Sequence, residues 1–159
     1  MKKVLTILGS ALAGGIIGIV NSSKLYQKEL QDLRKKADRD RKLITVYDQW
    51  MLINQEGKSI ANALKSQGFC SVAIYGIGIL GERVYAELRN SGINIDYLID
   101  KNITGVYIDD VVIYKPEDKL PQTDAIIVTP IFFYEEIKKD LQKENQYPIL
   151  SFEDILYKI

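Results

Sequence analysis

The 159-residue chain carries 21 Lys or Arg against 21 Asp or Glu, with one cysteine and no histidine. That length holds one domain and an extension. The missing histidine excludes Ser-His-Asp and Cys-His catalysis and the common zinc sites, and the lone Cys70 excludes an intrachain disulfide and a cysteine-based metal cluster. Any chemistry would fall to Asp, Glu, Lys, Tyr or a cofactor.

Residues 4–20, VLTILGSALAGGIIGIV, follow two lysines and carry no charge. As a helix they would reach about 26 Å, enough for a thin hydrocarbon core. Two readings compete. One is a signal peptide cleaved after Ala11-Leu12-Ala13. The other is an uncleaved anchor within residues 1–23, which is favoured because the apolar run continues for seven residues past that site. Ser10, Gly14 and Gly18 share one helix face. Such a stripe lets two membrane helices approach closely, or merely reflects how common small residues are in such helices.

Residues 24–42 are charged: eight Lys or Arg against four acids, a net of +4. Residues 43–159 hold eleven basic and seventeen acidic residues, a net of −6. The positive charge beside the apolar run places the C-terminal part in the cytoplasm. The basic segment is either a solvated spacer or a surface for anionic headgroups. The helix is expected to continue to Gln67, with Leu43, Val46, Trp50, Ile53, Gly57, Ile60 and Leu64 as one apolar stripe facing a sheet. Trp50 reads as a packing anchor, and Gly68 as the residue that closes the helix. A second line, Tyr26, Leu30, Leu33, Ala37, Asp40, Ile44, Tyr47 and Met51, has heptad spacing, interrupted by Asp40. Residues 24–67 are thus a juxtamembrane and packing helix, and 68–159 a separate domain.

That domain begins with Cys70, read as a buried structural thiol at the start of an apolar strand. The strand ends at Tyr75. Gly76, Gly78 and Gly81 follow with G-x-G-x-x-G spacing, then a helix with Leu80, Val84 and Leu88 on one face. A second strand, Ile95 to Ile99, ends in Asp100, 19 residues past Gly81. This is the pattern of a dinucleotide-binding βαβ unit. Gly76 would turn the chain off the strand, Gly78 would admit a pyrophosphate to the backbone, and Gly81 would let the helix pack closely. Asp100 would accept from a ribose diol. The competing reading gives the glycines a packing role only. Glu82, in the first helical turn, favours the helix but repels a phosphate there.

Beyond Asp100, Val111 to Tyr114 reads as a short strand and Asp109-Asp110 as turn residues rather than a metal pair. Asp124 to Thr129 reads as a strand covered on both faces. Pro130 suits the first turn of a helix over Ile131 to about Asn145. Pro148 to Phe152 is a last strand and Glu153 to Tyr157 a helical turn. Tyr134-x-x-x-Lys138 matches the Tyr–Lys pair of short-chain dehydrogenases. Tyr134 lies on an apolar helix face, and no upstream serine completes the set, so it reads as packing. No catalytic residue and no metal site is assigned.

The stretch IYGIGILGERVYAELRNSGINIDYLIDKN, with DAIIVTP and ILSFEDIL, resembles small Rossmann-like domains associated with bacterial surface-polysaccharide biosynthesis. It is also similar to the nucleotide-binding N-terminal domains of sugar acyltransferases and of sugar-nucleotide dehydratases. The resemblance spans roughly residues 70–156. It implies that Gly76, Gly78, Gly81 and Asp100 contact NAD, a nucleotide or a nucleotide-sugar. No transferase or dehydratase domain is attached in this chain.

The expected architecture is α/β: a compact Rossmann-like parallel sheet preceded by a long helix and an N-terminal transmembrane helix. The expected function is a single-pass membrane protein whose cytoplasmic domain binds such a ligand as an accessory to a glycan-assembly enzyme. The alternatives are a small NAD-dependent sugar-nucleotide-modifying enzyme and a ligand-free structural protein. In the enzyme reading Asp100 would favour NAD, while Lys101 could meet the extra phosphate of NADP. A homo-oligomer is among the expected assemblies; a nucleic-acid partner is not.

Overall fold

The computed structural model describes residues 2–102, 107–144 and 146–159, without the side chains of residues 2–23 and Tyr107. The membrane span expected at residues 4–20 lies outside the described side chains. Among the residues whose side chains are described, no helix is long and apolar enough to cross a membrane. The chain forms two compact units, Met1–Ile44 and Thr45–Ile159. The first consists of helix α1, which runs Lys2–Gln55 and so reaches into the second.

In the second unit the stripe Val46, Trp50, Ile53, Ile60 and Leu64 is buried, as its spacing requires. The helix is nevertheless not continuous. α1 ends at Gln55 and α2 occupies Ile60–Ser66. Gly57, which falls in register with the stripe, adopts a φ of 73° and terminates α1. The Lys58 N–H donates to the Ile53 carbonyl and the Gly57 N–H to that of Asn54, the bonding of a left-handed helix stop. Ser59 then caps α2 by accepting from the Asn62 N–H. Gly68 closes α2 in the same way, with a φ of 86°.

The sheet follows: β1 (Ser71–Tyr75), β2 (Asn94–Ile99), β3 (Tyr107–Ile108), β4 (Val111–Tyr114), β5 (Ala125–Val128) and β6 (Ile149–Ser151). Its order is β3-β4-β2-β1-β5-β6. Five strands are parallel, and the edge strand β3 pairs antiparallel with β4. The β3–β4 turn is Asp109-Asp110, at φ 48° and 70°. Two positive φ values suit the right-handed twist of a two-residue hairpin, and Asp tolerates them better than most side chains. Arg89 holds Asp109 from outside at 2.7 Å.

β1 and β5 are central and buried along almost their whole length, which explains their uninterrupted apolar runs. α3 (Ile79–Leu88) packs against β1 and β2. On one face Ala73, Tyr75, Tyr97, Ile99, Ile126 and Val128 form a core with Ile137 and Leu141 of α4 (Tyr134–Leu141). The segment from Ile131 to Phe133 is a 3-10 turn that Pro130 opens. A short α5, Phe152–Tyr157, closes the chain.

Trp50 is a packing anchor. It meets Phe152 edge-on at 4.8 Å between ring centroids and stacks with Tyr47. Its indole N–H donates to Glu87 at 2.6 Å, and the other Glu87 oxygen accepts from the Ile60 N–H at 2.8 Å. One half-buried carboxylate of α3 therefore ties down both α1 and the start of α2. Glu87→Ala is expected to lower unfolding free energy by about 2 kcal/mol, because it strands two donors while leaving the apolar stripe intact. Urea denaturation checks this; an unchanged midpoint would show that water replaces the carboxylate without loss.

Candidate functional site

The chain leaves β1 for β2 and β4 on one side of the sheet, and returns to β5 and β6 on the other. The connections leaving the carboxyl ends of the paired strands β1 and β5 therefore run to opposite sides, which makes this the switch point of the sheet. In open α/β sheets this is where ligands bind. Of the four residues singled out in the sequence, Gly76 and Asp100 line the crevice, while Gly78 caps α3 and Gly81 is buried in its first turn.

Gly76 follows β1 with a φ of 89°. A Cβ there would also sit 2.7 Å from Pro130 Cγ and 3.0 Å from Thr129 Oγ1. Gly81 lies so close to the turn that a Cβ would collide with the Gly76 carbonyl oxygen. Its closeness is to the turn itself and to Thr129. Gly78 differs from both. Its φ of −83° suits any residue, and no described residue lies within 4 Å of where its Cβ would be. It is the N-cap of α3, and no side chain caps that helix. The first-turn N–H groups of α3 therefore receive no side-chain cap and carry the partial positive charge of a helix start. Glu82, also in that turn, is exposed.

Thr129 was not singled out by sequence reasoning. Its buried hydroxyl lies 3.0 Å from the Tyr75 carbonyl and 2.9 Å from that of Gly76, so it fixes the turn from the β5 side. The available signal was a hydroxyl ending an apolar strand directly before Pro130. Asp100 fixes the turn from the β2 side. One of its oxygens accepts from the Ile77 N–H at 2.9 Å and the other from the Asn102 N–H at 2.8 Å. Each oxygen keeps acceptor capacity for a further donor. The strand-end acid thus supports the glycine turn as well as facing the crevice.

The crevice deepens into a cleft of about 320 Å³ with Tyr75 and Gly76 at its base. Asp100, Lys101 and Asn102 form one wall; Pro130, Phe133, Glu136 and Ile137 form the other. The first wall is polar and the second largely apolar. Burial, and then the charges of Asp100, Asp140, Glu117 and Glu136, push the Tyr75 phenol up to about 12. The phenol is therefore neutral, and the cleft is lined by the acids Asp100 and Glu136 together with Lys101.

Other residues weighed in the sequence lie elsewhere. The Tyr134 hydroxyl donates to the Ile149 carbonyl at 2.9 Å, and the Lys138 ammonium sits 5.4 Å from its ring centroid. That phenol is a tie between α4 and β6. Cys70 is exposed, contrary to the buried thiol expected. It precedes β1 by one residue, on the rim opposite the crevice, where Asp124 accepts the Cys70 and Ser71 N–H groups. Those two bonds hold the Asp124 carboxyl below its usual range. Among the described residues no group of three or more His, Cys, Asp or Glu is placed to hold a metal ion.

Residues 70–149, just over half of the chain, match the family model described as C2185-like, N-terminal, and the chain belongs to that family. No curated protein and no solved structure matches it.

Proposed function

We propose that this member of the C2185-like N-terminal family is a membrane-anchored, cytoplasmic, Rossmann-like protein that binds a nucleotide, NAD or a nucleotide-sugar, as an accessory to surface-polysaccharide assembly. The observation that carries the binding claim is Gly78. Gly76 and Gly81 are explained by backbone conformation and close packing, whereas Gly78, an N-cap with an ordinary φ, has no described neighbour within 4 Å of its Cβ position that would demand a glycine. Its position, over an uncapped helix start beside the switch-point crevice, is where a pyrophosphate would need a bare backbone.

Electrostatics orient such a ligand. The acids around Tyr75 disfavour a phosphate deep in the cleft. The neutral nucleoside would enter, with its base against Pro130, Phe133 and Ile137 and its diol toward Asp100. The phosphates would remain at the start of α3. The parallel strand order β4-β2-β1-β5-β6 supports the Rossmann-like reading. The polysaccharide role rests on the resemblance of residues 70–156, and no catalytic residue is assigned. The test is titration of the full-length chain in detergent with NAD, NADH, UDP and UDP-sugars. Saturable binding of at least one is expected; none at millimolar ligand, with the protein folded, removes the claim.

The anchor has its own test. The cationic residues beyond position 23 favour retention of the domain on the cytoplasmic side. Native Cys70 is exposed and is the only thiol in the chain. It is expected to react with a membrane-impermeant maleimide only after cell lysis. Labelling in intact cells would reverse the topology.

A further inference from the structure

On α1, Tyr26, Leu30, Leu33 and Ile44 are 67%, 49%, 58% and 68% exposed. With Ala37 they occupy alternating four- and three-residue steps and share about 60° of helix circumference. Lys24, Lys28, Lys35, Arg39 and Lys42 occupy a similar arc on the opposite side of the helix. A stripe this narrow is the seam of a coiled coil, whereas a helix lying in a lipid interface needs a broader apolar face. We propose that this seam pairs with the same seam of a second copy of the chain, as a parallel two-stranded coiled coil over residues 26–44.

Charge complementarity supports a second copy and the parallel orientation. With Leu30 and Ala37 at a, and Tyr26 and Leu33 at d, Glu29 falls at g and Arg34 at the following e. In a parallel pair these two face each other across the seam with opposite charge, twice by symmetry. Asp40 takes a d position, where two carboxylates would meet. Lys36 and Arg41 take the flanking g and e positions, where two cations would meet. Each pairing alone is unfavourable; side by side they offset each other and form a polar layer that fixes register. The five cations of the opposite face remain in solvent. This pairing is independent of the nucleotide reading.

The test uses the full-length chain in detergent with Cys70→Ala. Under mild oxidation Leu33→Cys is expected to give mainly covalent dimer, and Lys35→Cys, on the outer face, mainly monomer. Equal cross-linking at both positions, or none through Leu33→Cys, overturns the parallel seam. Because a seam cysteine could itself unseat the pair, the unmodified chain is also weighed by sedimentation with the detergent density-matched. Twice the chain mass is expected, with Leu30→Lys plus Leu33→Lys weakening association roughly tenfold or more. A monomeric unmodified chain, or a dimer indifferent to that double change, overturns the proposal. A monomer whose Leu33→Cys thiol is shielded only by anionic lipid would assign the stripe to the membrane instead.

Discussion

Gly81→Ala is expected to destabilise the second unit by about 3 kcal/mol. The added methyl would collide with the Gly76 carbonyl oxygen, which is backbone and cannot swing aside as a side chain would. Moving it means moving Gly76, already at a φ of 89° and confined by Pro130 and Thr129. Overpacking of this kind costs about 1–3 kcal/mol where side chains can yield, and more where they cannot. Alanine regains up to about 1 kcal/mol of helix propensity over glycine, which offsets a minority of the loss. Urea denaturation should show a lower midpoint at unchanged slope. A variant within about 0.5 kcal/mol of the parent would mean that the turn is looser than the structure shows.

Gly78→Trp is expected to do the reverse: cost little stability and remove ligand binding. Its φ of −83° accepts any residue, and no described residue lies within 4 Å of its Cβ position. The thermal midpoint should fall by no more than about 4 °C, since exchanging a glycine N-cap for an apolar one costs about 1 kcal/mol. Affinity for whichever of NAD or the uridine nucleotides binds should fall roughly tenfold or more, as an indole would occupy the phosphate position. A folded Gly78→Trp protein of full affinity would move the ligand away from the start of α3. A more strongly destabilised one would give Gly78 the packing role that the structure assigns only to Gly76 and Gly81.

The contrast between these glycines bears on what the sequence could reveal. The strand, glycine turn, helix and second strand were legible because two apolar runs flank fixed glycines and a 3.6-residue helical pattern. β1 ends at Tyr75 as the pattern has it, and Leu80, Val84 and Leu88 are buried on α3. The break between α1 and α2 was hidden because Gly57 stands in register with the apolar stripe, and the stripe stays buried across the break. β3 is only two residues long, too short for alternation to register. The exposure of Cys70 depends on one position: a residue before β1 it leaves the covered strand for the rim of the sheet. At the site, the acid at the strand end was legible but its bonds to Ile77 and Asn102 were not, because they depend on where the loop settles in space. Thr129 and Glu87 act across 53 and 37 residues of sequence, on Gly76 and on Trp50, and no local pattern names those partners.

The measurement that bears most directly on the binding claim is an amide-resolved NMR titration of the full-length chain with NAD and with a UDP-sugar. The uncapped N–H groups of Ile79, Leu80 and Gly81 should shift together to saturation, with Lys101 and Asn102 following as the nucleoside fills the cleft. Saturable shifts confined to other surfaces, or none at this helix start with the protein folded, would contradict the assignment of the glycine turn as a nucleotide site.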